Sequence, residues 1–321
     1  MRHGKIVLVT GGAGFIGSHL VDALVRRGDR VRVLDNLLTG KLENLRGLLD
    51  RIELIRADIR NEAALRRALR GVRVVYHQAA LRSVPQSVKD PAGYHEVNAT
   101  GTLTLLRLAG EAGVRRVVYA SSSSVYGDSN QLPQRENQLP RPQSPYAASK
   151  LAGEIYAGMF TQLYRLETVG LRYFNVFGPR QSLQNRYAVV IPQFITCLLR
   201  GTPTPIDGDG RQTRDFTYID DVVRANLLAG TARGAAGQVF NVAGGAGHSV
   251  RELAQRLNRV MGLRIAPTFR SARSGDIRHS HADLSLVRRI LGYRPQVSFE
   301  AGLRQTIAWF DQNRQQWEQS R

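Results

Sequence analysis

With 321 residues, 42% of them hydrophobic and 22% charged, the chain can bury a sizeable core as one large or two joined domains. Its single cysteine, Cys197, excludes an intramolecular disulfide and reads as a small buried hydrophobe, no apolar run reaches the about 18 residues of a membrane span, and the opening Met1-Arg2-His3 lacks a signal core, so a cytoplasmic setting is expected. The formal charge of +19 comes almost entirely from scattered arginines, with lysine only at 5, 41, 89 and 150 and clusters ending at pairs such as Arg26-Arg27, Arg66-Arg67 and Arg288-Arg289, which argues against a nucleic-acid site and for a basic surface that attracts an anionic substrate.

In chain order, Ile6-Val7-Leu8-Val9 reads as a buried strand, followed by glycines and a helix near 15–27. Val31-Arg32-Val33-Leu34 and Ile52-Glu53-Leu54-Ile55 are the second and third strands, and Ala63 to Leu69 a helix. Val72 to Tyr76 is the fourth strand, with a long helix from about Tyr94 to Ala112 after it. Val117-Val118-Tyr119-Ala120 is the fifth, a helix from Tyr146 to about Tyr164 follows, and Thr168 to Tyr173 is the sixth. Strands alternating with helices imply parallel pairing through right-handed crossovers, hence an α/β fold with a Rossmann-type doubly wound parallel sheet. Beyond 175 the pattern loosens, with helices expected near 188–200, 220–231 and 249–261 and a strand at Gln238-Val239-Phe240-Asn241-Val242. The expected division is an NAD-binding Rossmann domain over 1–175 and a smaller α/β substrate-binding lobe over 176–321, with segments near 206–246 returning to the main sheet.

Thr10-Gly11-Gly12-Ala13-Gly14-Phe15-Ile16-Gly17 follows the first strand and opens the first helix. In such a loop Gly11 permits the tight turn, Gly14 lets backbone N–H groups approach a pyrophosphate, and Gly17 allows close helix–sheet packing. Asp35, at the end of the second strand, is placed to accept from both adenosine ribose hydroxyls, and its charge would repel a 2′-phosphate, so NAD is expected rather than NADP. Asp58-Ile59 ends the third strand, where adenine would lie, and Gln78-Ala79-Ala80 ends the fourth with small residues where a dinucleotide must pass.

Tyr146-Ala147-Ala148-Ser149-Lys150 sets a phenol and an ammonium four residues apart, on one helix face. A free phenol, with a pKa of ~10, is a poor base at neutral pH. A nearby ammonium and a cationic nicotinamide both favour the phenolate, which could then take a hydroxyl proton.

These pieces jointly resemble the extended short-chain dehydrogenase/reductase superfamily, in its nucleotide-sugar epimerase branch. The matching segments are Thr10 to Gly17, Asp35-Asn36, Asp58-Ile59, the serine run Ser121 to Ser124 with Val125-Tyr126-Gly127, Ser144-Pro145-Tyr146 through Lys150, Arg172-Tyr173-Phe174-Asn175, Gly178-Pro179-Arg180, Arg214-Asp215-Phe216 and Arg273-Ser274-Gly275-Asp276. The resemblance implies that Ser122 hydrogen-bonds the reacting hydroxyl, that Tyr146 is the base and that Lys150 is its partner and holds the nicotinamide ribose. It implies Asn98, Tyr173 and Phe174 as further cofactor-pocket residues, Ser83, Ser123 and Asn175 as substrate contacts, and Arg214 and Arg273 as the arginines that hold the substrate diphosphate. The implied reaction is C4 epimerisation through a transient 4-keto sugar.

Dehydratases and decarboxylases of that superfamily usually carry an acid just before the Val-Tyr-Gly; here Ser124 stands there, which favours simple epimerisation. An aromatic residue that closes the pocket in galactose-type enzymes, four positions after Asp276, is Ser280 here, and an asparagine three before a proline is Val189. Both departures point to UDP-N-acetylglucosamine or its uronate, with Arg82 and Arg180 as cations for a C6 carboxylate. UDP-glucose or UDP-glucuronate 4-epimerase, 4,6-dehydratase and a non-catalytic NAD-binding regulator are the alternatives. His77 and His279 lack partners at metal-ligand spacing, so no metal is expected. Trp309 and Trp317 read as packing residues on a terminal helix. By family geometry the helices near 94–112 and 146–164 form a four-helix bundle in a homodimer.

Overall fold

Side chains alternate between the two faces of a strand, and a strand buried on both faces is apolar at every position. In β1 (Ile6–Thr10), Val7 and Val9 enter one apolar cluster while Leu8 enters another on the opposite face. The computed structural model describes residues 5–129, 131–182, 190–272 and 278–318. β2 (Arg30–Asp35), β3 (Ile52–Arg56), β4 (Val74–His77), β5 (Arg116–Ser122) and β6 (Glu167–Tyr173) pair with β1 in a parallel sheet, as the strand–helix alternation implies.

α1 (Phe15–Arg26) connects β1 to β2, and α2 (Glu62–Leu69), capped by the Asn61 side chain on Ala64 N–H at 3.0 Å, connects β3 to β4. α3 (Val84–Lys89) and α4 (Pro91–His95) follow β4. The long helix expected to start near Tyr94 begins earlier, at Pro91, and is interrupted by a π turn over Glu96–Thr100 before α5 (Gly101–Glu111). Such turns occur where a helix is reshaped around a functional group. α6 (Pro145–Tyr164) starts with Pro145 behind a Ser144 cap on Ala147 N–H at 3.1 Å.

The second half contributes β7 (Val176–Phe177), α7 (Val190–Leu199), β8 (Pro205–Asp207), β9 (Thr213–Asp215), β10 (Thr217–Tyr218), α8 (Ile219–Ala229), β11 (Gln238–Val242), β12 (Gly247–Ser249), α9 (Val250–Met261), β13 (Thr268–Arg270), α10 (Ser285–Leu291), α11 (Phe299–Gln312) and α12 (Arg314–Glu318). β11 adds a seventh parallel strand beside β6, giving the order β11-β6-β5-β4-β1-β2-β3. Short pairs β10–β7, β12–β9 and β13–β8 stiffen the lobe over the sheet's carboxyl end. One apolar cluster runs from Val7 in β1 to Trp317 in α12, so the lobe and the sheet share a core. Cys197, expected inside, is only half-buried on α7. Trp317 is buried and donates its indole N–H to Phe310 O at 2.7 Å, a packing role. Among the described residues no helix is long and apolar enough to cross a membrane.

Candidate active site

The strand order reverses between β1 and β4, and there the carboxyl ends of the strands open into a cleft. Gly11, Gly14, Phe15, Ile16 and Gly17 line it, with Asp35, Asn36, Asp58, Ile59, Gln78, Ala79 and Ala80. The glycine loop is tight by necessity. Gly11 has φ +68°, and a Cβ at Gly17 would stand 2.1 Å from Gly11 O. α1 begins with no side-chain cap and no acid in its first turn, so its N–H groups are left for an anion. Asp35 ties the loop together by accepting Ala13 N–H at 2.9 Å and Leu37 N–H at 2.8 Å, and its two oxygens retain lone pairs for ribose hydroxyls. Burial raises its pKa, and these two N–H bonds oppose that. Asp58 is held at about 2, chiefly by its hydrogen bond to Arg60, and accepts Asn36 Nδ2 at 2.9 Å. A glycine cradle, a bare helix N-terminus and a ribose-directed carboxylate fit a dinucleotide.

Gly17→Ala has only backbone in its way, so the loop must move; purified variant should lack bound NAD, and stability should fall by roughly 1–3 kcal/mol. Full NAD occupancy by absorbance after denaturation is the contrary result.

Farther along the cleft, Ser122, Tyr146 and Lys150 converge, two from α6 and one from the end of β5. Ser122 Oγ accepts from Ser124 N–H at 3.2 Å and from Ser124 Oγ–H at 2.9 Å. Its own proton is therefore free to donate, and the Ser122 hydroxyl lowers the pKa of the Tyr146 phenol. Ser124 here orients Ser122. Burial raises the Tyr146 phenol, while the Ser122 hydrogen bond and the positive charge of Arg82 lower it. Lys150 is buried with its Nζ 5.1 Å from the centre of the Tyr119 ring, and burial pulls its pKa down to about 7 against the opposing charge of Glu154. Arg82 is a cation that acts on Tyr146. Tyr94 packs edge-on against Tyr146 with centroids 6.5 Å apart.

The wall behind the site is a directed hydrogen-bond chain. The Thr102 hydroxyl donates to Asn98 O at 2.6 Å, so it accepts from His77 Nε2 at 3.0 Å, and His77 Nδ1 accepts from Thr10 Oγ1–H at 2.7 Å. His77 is thus a neutral strut, with a pKa of about 3 set by burial first and by the charge of Lys150 second. No cluster of three His, Cys, Asp or Glu suits a metal among the described residues. His279 bonds Thr213 Oγ1 at 2.9 Å.

Asn98, implied as a cofactor contact, does not line the cleft. It sits in the π turn, accepts Leu81 N–H at 2.8 Å and donates to Leu81 O and Ser149 Oγ at 2.9 and 3.0 Å, so it holds the wall in place. Phe174 is likewise fully buried behind the cleft, against Tyr126. Ser83 caps α3 on Gln86 N–H at 3.3 Å instead of facing the cleft. Tyr173 does line it, its hydroxyl bonded to Asn226 and Gln78.

At the substrate end the cleft is lined by Ser123, Asn175, Arg180, Arg214 and Ser280. Asn175 and Arg180 hold left-handed backbone, φ +35° and +64°, an uncommon conformation for residues with a Cβ. Arg214 Nη1 donates to Thr213 O at 2.9 Å, which steadies the guanidinium. Val189, Arg273 and Asp276 lie outside the described residues. Lys41, Asn44 and Gln134 also line the cleft and were not foreseen. Asn44 Nδ2 and Lys41 N–H both donate to Ala13 O, at 2.8 and 3.0 Å, bracing the glycine loop from outside. The rarity of lysine in an arginine-rich chain was a usable signal for Lys41, since it shares the cleft with Lys150.

This is a dinucleotide-binding α/β fold with a serine–tyrosine–lysine site at its switch point. The chain belongs to the NAD dependent epimerase/dehydratase family, whose model matches residues 7–243. It is 43% identical over 308 residues, 94% of this chain and 97% of the other, to a UDP-glucose 4-epimerase of Mycolicibacterium smegmatis. A structure of UDP-N-acetylglucosamine 4-epimerase from Methanobrevibacter ruminantium M1, in complex with UDP-N-acetylmuramic acid, is 40% identical, covers 97% of this chain and 99% of its own, and superposes with a TM-score of 0.93. A Bacillus cereus UDP-glucuronic acid 4-epimerase with UDP-glucuronic acid and NAD is 34% identical, with a TM-score of 0.89 over 96% of this chain and 99% of its own.

Proposed function

We propose that this protein is a UDP-sugar 4-epimerase whose substrate is UDP-N-acetylglucosamine or the derived uronate. The observation that carries the reaction is the convergence of Ser122, Tyr146 and Lys150 on the cofactor cleft, with Ser122 itself oriented by Ser124. When bound, NAD supplies a reversible hydride acceptor at C4. Tyr146 takes the C4 hydroxyl proton as that carbon is oxidised, and Ser122 donates to the oxygen throughout. The sugar, now planar at C4, turns about its diphosphate, which Arg214 and Arg273 hold. Its other face would then be presented to the cofactor, from which C4 would regain the hydride, and Tyr146 would return the proton. Lys150 lies one helical turn from Tyr146 and would hold the nicotinamide ribose.

Support for an N-acetylated sugar is the small, 6% exposed Ser280 where a larger side chain would narrow the pocket, together with the likeness to the N-acetylglucosamine enzyme. Arg82 and Arg180 in the cleft would serve a uronate. The test is a panel of UDP-glucose, UDP-glucuronate, UDP-N-acetylglucosamine and its uronate, with products identified by NMR. Inactivity on both N-acetylated sugars with good turnover of UDP-glucose defeats the substrate assignment. Loss of the 4-epimer in favour of a 4-keto-6-deoxy product would make the enzyme a dehydratase.

Removing the cation at position 82 raises the Tyr146 pKa. The base must be deprotonated to work, so in Arg82→Gln the acidic limb of the kcat/KM profile should move to higher pH, and Arg82→Lys should restore it. An unmoved limb would show that Arg82 does not act on the phenol.

A homodimer is proposed through α6 and the neighbouring helix from Pro91 to Glu111, which pack together in this chain. Ile155, Met159 and Leu163, spaced four apart on α6, are 56%, 44% and 65% exposed, an apolar stripe that a second copy would cover. Sedimentation at twice the chain mass is the expected result, and sedimentation at the chain mass the contrary one.

A further inference from the structure

Resting on the N-acetylhexosamine reading above, we propose that Gln134 reads the substituent at C2 of the sugar, its side-chain amide bonding the acetamido group beside Ser280. Gln134 is 1% exposed, and its Oε1 has no hydrogen-bond partner among the described residues. A buried amide oxygen left in that state is uncommon in a folded protein. The residue's backbone is fully engaged. Its N–H donates to His281 O at 2.7 Å, and its carbonyl accepts from Asp283 N–H at 2.8 Å and Asn241 Nδ2 at 2.9 Å. These bonds strap position 134 to the segment that carries Ser280, through a bridge to Ala282. Both Gln134 and Ser280 line the catalytic cleft. A residue whose backbone is held this firmly, and whose side-chain carbonyl still lacks a partner, is set to meet one from the ligand.

The chemistry of the ligand follows from the group. An amide carbonyl accepts from a neutral N–H or O–H donor, and rotation of the same amide offers N–H to a carbonyl. An acetamido group carries both a donor and an acceptor and extends well past the position of a C2 hydroxyl. Ser280, with its short side chain, leaves the space for it. A hexose with a bare hydroxyl reaches less far and has less to gain from Gln134. Selectivity of this kind, in which a site polar group is left unpaired by the wrong ligand, is larger than selectivity by size alone.

The test compares wild type and Gln134→Leu on UDP-N-acetylglucosamine and UDP-glucose, with bound NAD and thermal melting measured on both proteins. Leucine keeps the bulk and removes the amide. The expected result is a loss in kcat/KM on the N-acetylated sugar that exceeds the loss on UDP-glucose by about 10–100-fold. Melting without substrate should be unchanged or higher, because an unpaired buried carbonyl has gone. Equal losses on the two sugars, or none, overturn the inference while leaving the enzyme's N-acetylhexosamine activity standing. Inactivity of wild type on UDP-N-acetylglucosamine instead overturns the substrate reading, and this inference with it. Should Gln134→Leu fail to fold, Gln134→Asn, which sets the same amide one methylene short, gives the same ratio test.

Discussion

Tyr146→Phe should lower kcat by about 10²–10⁴-fold on whichever UDP-sugar the wild type turns over, the range that general acid–base catalysis contributes. The substitution removes one oxygen and leaves the ring. Tyr94 still packs edge-on against it, and the α6 backbone and the Ser144 cap are untouched. NAD content, melting temperature and mass in solution should therefore match the wild type. That combination separates a chemical role from a structural one. Ser122 keeps both bonds from Ser124, so its position should hold. Ser122→Ala should then cost less than Tyr146→Phe. Interconversion of epimers at an unchanged rate in Tyr146→Phe would refute the mechanism.

What the sequence made legible depended on whether a local rule governed the residue. The sheet was legible because β1, β4, β5 and β6 are buried on both faces and read as largely apolar runs, while β2 and β3 alternate apolar with charged residues, all between glycine or polar breaks. The glycine loop was legible because Gly11 and Gly17 have no tolerance for a side chain. The π turn was not legible, since Glu96 to Thr100 has no composition that separates five-residue from four-residue backbone bonding. Its consequence was misassigned for the same reason: the turn aims Asn98 at Leu81, behind the cleft wall. Gln134 belongs to a loop that reaches the cleft through backbone bonds with the segment around Ala282, almost 150 positions away, and no periodicity marks such a contact. The charge that acts on Tyr146 was also hidden. Spacing placed Lys150 on the same helix face, but only the packed structure shows its ammonium turned toward the Tyr119 ring.

The buried ion pair beneath the site gives the largest expected effect on stability. Arg172 on β6 and Glu154 on α6 are 4% and 7% exposed, and they meet through two bonds, Nε–Oε1 at 2.9 Å and Nη2–Oε2 at 2.7 Å. Ser121 Oγ adds a third bond to Glu154, and the guanidinium lies 4.6 Å from the centre of the Tyr126 ring. Burial works against the Arg172 charge, but the hydrogen bond and charge of Glu154 outweigh it and raise the pKa. Desolvation offsets much of the attraction in such a pair, so the pair as a whole adds little, whereas one member left alone is a buried uncompensated charge. Arg172→Leu should cost about 3–5 kcal/mol, seen as a drop of several degrees in Tm. Adding Glu154→Leu should recover most of that loss, because the orphaned carboxylate goes too. Destabilisations that simply add, within about 0.5 kcal/mol, would show the two side chains to be energetically independent. The rescued double variant should still be slow. Glu154 stands one turn beyond Lys150 and favours its charged form, and Ser121 adjoins Ser122 on β5. Stability regained without activity would therefore place the pair's main value in the electrostatics of the site, where a leucine pair can fill the space but cannot oppose the loss of the Lys150 charge.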